Sequence, residues 1–66
     1  MRIIVNDEVM NFDAPITVSE LLASLGRPVA GMAVAVNQTI VVRGSWSEHV
    51  VRDGDLILLF QAIAGG

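Results

Sequence analysis

Few side chains in this sequence are equipped for chemistry. There is no cysteine, lysine or tyrosine, and His49 is the single histidine. A thiolate or histidine-rich metal centre cannot be assembled from that inventory within one chain. A serine nucleophile would have to pair His49 with Ser19, Ser24, Ser45 or Ser47, and no Gly-x-Ser-x-Gly turn exists to expose one. Neither a Walker loop nor a Gly-x-Gly-x-x-Gly run is present. Asp53 and Asp55 flank Gly54, which offers too few oxygen ligands for a hard cation and reads instead as a tight turn. No metal site is expected. What remains is the α-carboxylate of Gly66. With a reference pKa of ~3.5 such a group is ionised at neutral pH, and it can attack an activated phosphate.

The residues leading to that carboxylate are Gln61-Ala62-Ile63-Ala64-Gly65-Gly66. Glycine loses the most backbone entropy on ordering, so a terminal pair favours neither strand nor helix. Chain ends that lack packing contacts are commonly mobile. Residues 61–66 are therefore expected to form a flexible C-terminal arm. At ~3.4 Å per residue it would reach roughly 20 Å when extended, enough to enter a deep site while the folded body stays outside. Gly66 has no Cβ, so another protein could approach its carboxylate closely.

The elements that must present this arm fit in one small domain of 66 residues. A chain of this size buries only ~60% of the surface it exposes when unfolded. With 53% apolar and 17% charged residues, packing must supply the stability that no disulfide can. The net charge of −3 and scattered arginines argue against a nucleic-acid partner. Arg2 is followed by three apolar residues before Asn6-Asp7, which is no signal peptide. No apolar run approaches the ~18 residues of a membrane helix. A soluble, cytoplasmic protein is the expectation.

Along the chain, Arg2–Val5 and Glu8–Phe12 read as a hairpin around Asn6-Asp7. Asp13-Ala14-Pro15 breaks it. Thr17 and Glu20 fit a capping box, flanked by Ile16 and Leu21 as a hydrophobic staple. Val18, Leu21, Leu22 and Leu25 then fall on one face of a short helix, closed by Gly26 with Pro28 beyond. Met32–Val36 and Thr39–Val42 are strands joined by Asn37-Gln38. Ser45 and Glu48 make a second capping-box match, which predicts a helical turn carrying Trp46 and His49. Val50-Val51 reads as an apolar link, Asp53-Gly54-Asp55 as a turn, and Leu56–Phe60 as the last strand.

One helix and five strands pack most simply as two layers, the helix on one face of a mixed sheet. Ile3, Val5, Val34, Val36, Ile57 and Leu59 would face Val18, Leu21, Leu22 and Leu25. The strand period of two then turns Ile4, Leu58 and Phe60 to the other face. Nothing in the chain is left to cover that face, so these three residues are expected to bind a partner beside the root of the arm. Trp46 reads as a packing anchor for the last loop. His49 reads as solvated and not catalytic, since no nucleophile is placed with it.

The whole chain resembles the thiamine-pathway sulfur carriers (ThiS-type), small β-grasp proteins with a ubiquitin-like fold. The resemblance rests on Ile3-Ile4-Val5-Asn6, Thr17-Val18-Ser19-Glu20-Leu21-Leu22, Val34-Ala35-Val36-Asn37, Val42-Arg43 with Trp46, Asp53-Gly54-Asp55, and Phe60 through Ile63-Ala64-Gly65-Gly66. It implies an α+β ubiquitin-like β-grasp fold, a mixed five-stranded sheet with one α-helix on one face. It implies a carrier rather than an enzyme. Gly66 would become a glycyl adenylate and then thioglycine, with Gly65, Ala64 and Ile63 as the tail that enters the partner. The chain itself would bind no cofactor; ATP and Mg²⁺ would be used by an adenylating enzyme of the ThiF type. A cysteine desulfurase would supply sulfur, and a ThiG-type thiazole synthase would receive it. Since the chain has no cysteine, sulfur has no side chain on which to ride.

Three other classes share features with the sequence. The small subunit of molybdopterin synthase (MoaD-type) has the same fold and diglycine end, but usually runs longer with prolines in the tail. A ubiquitin-like modifier would also end in two glycines. A binding module with an inert tail needs no function for them at all.

Overall fold

The computed structural model describes residues 1–26 and 31–61. The elements run β1 (Arg2–Val5), β2 (Glu8–Asn11), β3 (Ile16–Thr17), α1 (Val18–Leu25), β4 (Met32–Val36), β5 (Thr39–Val41), a 3₁₀ turn (Arg43–Ser45), β6 (Val50–Val51) and β7 (Leu56–Gln61). Five strands form the main sheet in the order β2-β1-β7-β4-β5. β1 and β7 are parallel at its centre, and the remaining pairs are antiparallel. This is the expected mixed sheet with one helix. The strand that leads to the C-terminus lies in its middle.

Two-residue turns set the register of both hairpins. Asn6 and Asp7 have φ of 48° and 70°, and Asn37 and Gln38 have φ of 51° and 71°. Positive φ at both central residues is the type I′ signature, whose twist matches that of the flanking strands. Asparagine is among the few residues besides glycine that adopt this region readily. Val5 then faces Glu8 and Ile4 faces Val9, while Val36 faces Thr39 and Ala35 faces Ile40.

The helix begins where its capping box predicts. The Thr17 amide donates to Glu20 Oε1 at 2.8 Å, and the Glu20 amide donates to Thr17 Oγ1 at 3.1 Å. The next free donors of the first turn find carbonyls in the loop after the 3₁₀ turn: Val18 N–H reaches the His49 carbonyl and Ser19 N–H the Trp46 carbonyl. A helix start leaves such amides without intrahelical partners, so these bonds tie the helix to that loop. Gly26 ends the helix in the left-handed region at φ 67°. Pro28 lies outside the described residues.

Ile3, Val5, Val34, Val36, Ile57 and Leu59 are all buried, together with Val18, Leu21 and Leu22 from the helix. Leu25 is half-buried against the same cluster. Trp46 closes one side of the core at 4% exposure, its indole N–H donating to the Val41 carbonyl at 2.8 Å.

Five expectations shift. The Ser45–Glu48 match makes no capping box; the turn starts at Arg43, its preceding residue Val42 gives no side-chain cap, and the Glu48 amide bonds the Ser45 carbonyl instead. Val50-Val51, read as a link, is a short strand that pairs with Ile16-Thr17 as a two-stranded sheet, while Thr17 keeps its expected place as the helix cap. β2 ends at Asn11 rather than Phe12, and β5 ends at Val41, with Val42 beyond it. The last strand runs one residue past Phe60: Gln61 pairs with Met32 and so belongs to β7, not to the arm.

Candidate functional site

The face of the sheet away from α1 is built by register. Ile4 on β1 stands opposite Val9 on β2 and Leu56 on β7. Leu58 stands opposite Ala35, Ala35 opposite Ile40, and Phe60 opposite Ala33. Cross-strand partners share a face, so these residues form an apolar band from one sheet edge to the other. Val9 is 57% exposed, Ile40 60% and Phe60 44%. Ile4 is at the margin of exposure, and Leu56 and Leu58 are half-buried by their neighbours.

Ile4, Leu58 and Phe60 therefore stand together on the face without a helix. Val9 and Ile40 belong with them and were missed from sequence. The signal was present: a two-residue turn at Asn6-Asp7 puts Val9 across from Ile4, and one at Asn37-Gln38 puts Ile40 across from Ala35. Val42 is also exposed just past β5.

Turn asparagines hold β7 at its start and near its end. Asn37 Oδ1 accepts from the Leu56 amide at 3.0 Å, and its Nδ2 donates to Asp55 Oδ1 at 3.0 Å. Asp55 Oδ2 accepts in turn from the Arg52 amide, which closes the turn around Gly54. At the other end, Asn6 Oδ1 accepts from the Leu59 amide at 2.9 Å, and Asn6 Nδ2 donates to the Leu59 carbonyl at 3.3 Å. Asp53 also belongs to the turn, accepting from the Arg2 amide at 2.7 Å.

His49 is half-buried, with its backbone amide on the Ser45 carbonyl. Among the described residues no three or more His, Asp or Glu side chains converge as a metal site would require. Ile63, Ala64, Gly65 and Gly66 lie outside the described residues.

A helix laid across one face of a mixed sheet, with the C-terminal strand at the sheet's centre, defines a ubiquitin-like β-grasp protein. The model of the ThiS family matches residues 1–66, and the chain belongs to that family. It is 54% identical to the sulfur carrier protein ThiS of Escherichia coli K12, over the full length of both. A thiazole synthase of Paramagnetospirillum magneticum is 38% identical across all of this chain, which matches 20% of that longer protein. The crystal structure of the thiamine biosynthesis protein ThiS from Geobacter metallireducens superposes with a TM-score of 0.89 at 26% identity, covering both chains completely. A solution structure of a thiamine biosynthesis protein from the same organism gives 0.77 at 28% identity, covering all of this chain and 88% of the other.

Proposed function

We propose that this protein carries sulfur for the thiazole moiety of thiamine as a thiocarboxylate on Gly66. The observation that carries this is the full-length likeness to a sulfur carrier, at 54% identity. The sequence agrees with it, since the chain ends in Gly65-Gly66 and has no thiol of its own.

A carboxylate is a poor electrophile. Its oxygen attacks the α-phosphate of ATP, pyrophosphate leaves, and the acyl-adenylate now has a leaving group. A sulfur nucleophile then forms the carbon–sulfur bond as the carbon–oxygen bond to AMP breaks. This chain offers neither step a catalytic side chain, so the groups that stabilise developing charge belong to a ThiF-type adenylating enzyme with its ATP and Mg²⁺. The part left to the carrier is positioning, a body that docks and an arm that places one carbon. A cysteine desulfurase is the sulfur source in this scheme, a thiol reductant supplies the two electrons that bring its persulfide sulfur to the sulfide level, and the cytoplasm is its place.

The apolar face supplies the docking surface. Ile4, Leu58 and Phe60, with Val9 and Ile40, bind the adenylating enzyme, and the arm leaves from the strand that carries Phe60. Contiguous exposed apolar residues on a small protein favour a partner over solvent. The likeness of this chain to part of a thiazole synthase supports that enzyme type as the acceptor of the sulfur.

Intact-mass measurement tests the proposal. The protein is incubated with ATP, Mg²⁺, the adenylating enzyme and a sulfur donor, then fragmented. The gain should equal one oxygen exchanged for one sulfur, located on Gly66. An unchanged mass with an active partner defeats the carrier function, and sulfur elsewhere defeats the mechanism.

A further inference from the structure

We propose that Asn6 is a positioning residue for transfer, setting the direction in which the chain leaves the sheet at the end of β7. This rests on the carrier function proposed above. The observation is the two-point grip of its carboxamide on the backbone of Leu59.

β1 and β7 run parallel, and β1 accompanies its neighbour only as far as Val5 opposite Ile57. The Ile4 amide donates to the Asp55 carbonyl and the Asn6 amide to the Ile57 carbonyl, each at 3.0 Å. The next step of that ladder falls at Leu59, but the β1 backbone has by then turned away through Asn6-Asp7. The Asn6 side chain takes the vacated place. A carboxamide carries the same donor and acceptor as a peptide unit, so it extends the ladder by one rung. Among the described residues this is the last hydrogen-bonding partner that β7 has on its β1 side. Beyond it, Phe60 and Gln61 pair only with Ala33 and Met32 of β4. A strand held on one side alone is free to splay about its remaining ladder. The Asn6 grip therefore limits that freedom one residue before Phe60, where the docking face ends and the residues leading to Gly66 begin.

Asn37 is the internal control. It occupies the same position in the same kind of turn, and its carboxamide grips the same strand at Leu56, the end remote from the arm. Glycine suits positive φ in such turns, so Asn6→Gly and Asn37→Gly each remove a grip without straining the backbone.

The test measures adenylation of each variant by the adenylating enzyme, as pyrophosphate release against carrier concentration, with amide exchange of Leu59 followed by NMR. In Asn6→Gly, kcat should fall by about tenfold or more, since small misplacement of a reacting group is costly. KM for the carrier should stay within about twofold of the parent, because the docking face is untouched. The Leu59 amide should exchange about tenfold faster once its partner is gone. Asn37→Gly, with a comparable fall in melting temperature, should keep the parent's kcat. Asn6→Asp keeps the turn and one acceptor but sets a second oxygen against the Leu59 carbonyl, so it should fall with Asn6→Gly. Equal kcat losses at both asparagines, a change confined to KM, a parent-like Asn6→Asp, or unaltered Leu59 exchange would each overturn the inference. A parent protein that is not adenylated overturns the carrier function and this inference with it; an adenylated parent beside an unaffected Asn6→Gly overturns the inference alone.

Discussion

Trp46 shows how much a single residue decides in a core this small. Its indole is buried and its N–H reaches the Val41 carbonyl, so one side chain seals the core and satisfies the end of β5. The Arg43 guanidinium lies 5.9 Å from the ring centroid, and at that exposed position a cation–π contact adds at most ~1 kcal/mol. Trp46→Phe keeps an aromatic ring but leaves the Val41 carbonyl without its donor. The expected loss is about 1–3 kcal/mol, the cost of a buried polar group left unpaired. Thermal unfolding should show a fall of several degrees, since ~1 kcal/mol corresponds to ~4–8 °C in a domain of this size. A variant that melts with the parent would mean that the hydrogen bond contributes nothing. Residue types also show why one capping signature held and another failed. At Thr17 and Glu20 both side chains meet free backbone amides. At Ser45 and Glu48 the backbone makes its own bond, and the burial of Trp46 sets where the turn begins.

At the scale of elements, what was legible in the sequence is what local chemistry determines. The two hairpins, the helix with its Gly26 cap and the two faces of β7 follow from turn residues and periodicity, which act over a few positions. The β3–β6 pairing and the Asn6 grip on Leu59 join segments far apart in the chain, 53 positions in the latter case, and no local pattern encodes them. The two faces of β7 carry a prediction. Ile57 and Leu59 are buried while Phe60 is 44% exposed and Leu58 is half-buried beside Ala35. Phe60→Glu should change stability by less than ~1 kcal/mol, as a surface substitution does. It should weaken binding to the adenylating enzyme at least tenfold (~1.4 kcal/mol), because the new charge must be desolvated in the interface. Leu58→Glu should show the same binding loss with a somewhat larger cost in folding, given its lower exposure. Calorimetric titration beside thermal melting separates the two effects. A loss of several kcal/mol in stability with unchanged affinity would place this face in the core and reverse its role.

At the scale of the whole molecule, the proposed function divides the work between the described body, which runs through β7, and the terminal Gly66 as the residue that is modified. Among the described residues the core cluster extends to Leu59, and the main sheet's last pair is Gln61 with Met32. Every ladder and cap described above is made by residues up to that point. Deleting Gly66 should therefore leave the melting temperature within about 2 °C of the parent, because every residue of the described cluster is kept and a glycine has no side chain to contribute to a core. Affinity for the proposed adenylating enzyme should fall little, since the deletion leaves Ile4, Val9, Ile40, Leu58 and Phe60, the proposed docking residues, untouched. Adenylation, by contrast, should drop below detection. The shortened chain still ends in a carboxylate with the same intrinsic reactivity, so chemistry alone predicts no loss. What changes is reach: one residue is ~3.4 Å, more than the separation a reacting pair tolerates. Appending an alanine after Gly66 should fail for the complementary reason, placing a Cβ where none was present. The measurements are the rate of pyrophosphate release, the dissociation constant and the melting curve on the same samples. Full activity in the deleted protein would show that the terminal position does not matter. A melting temperature many degrees lower would show that Gly66 belongs to the fold and not to the transfer.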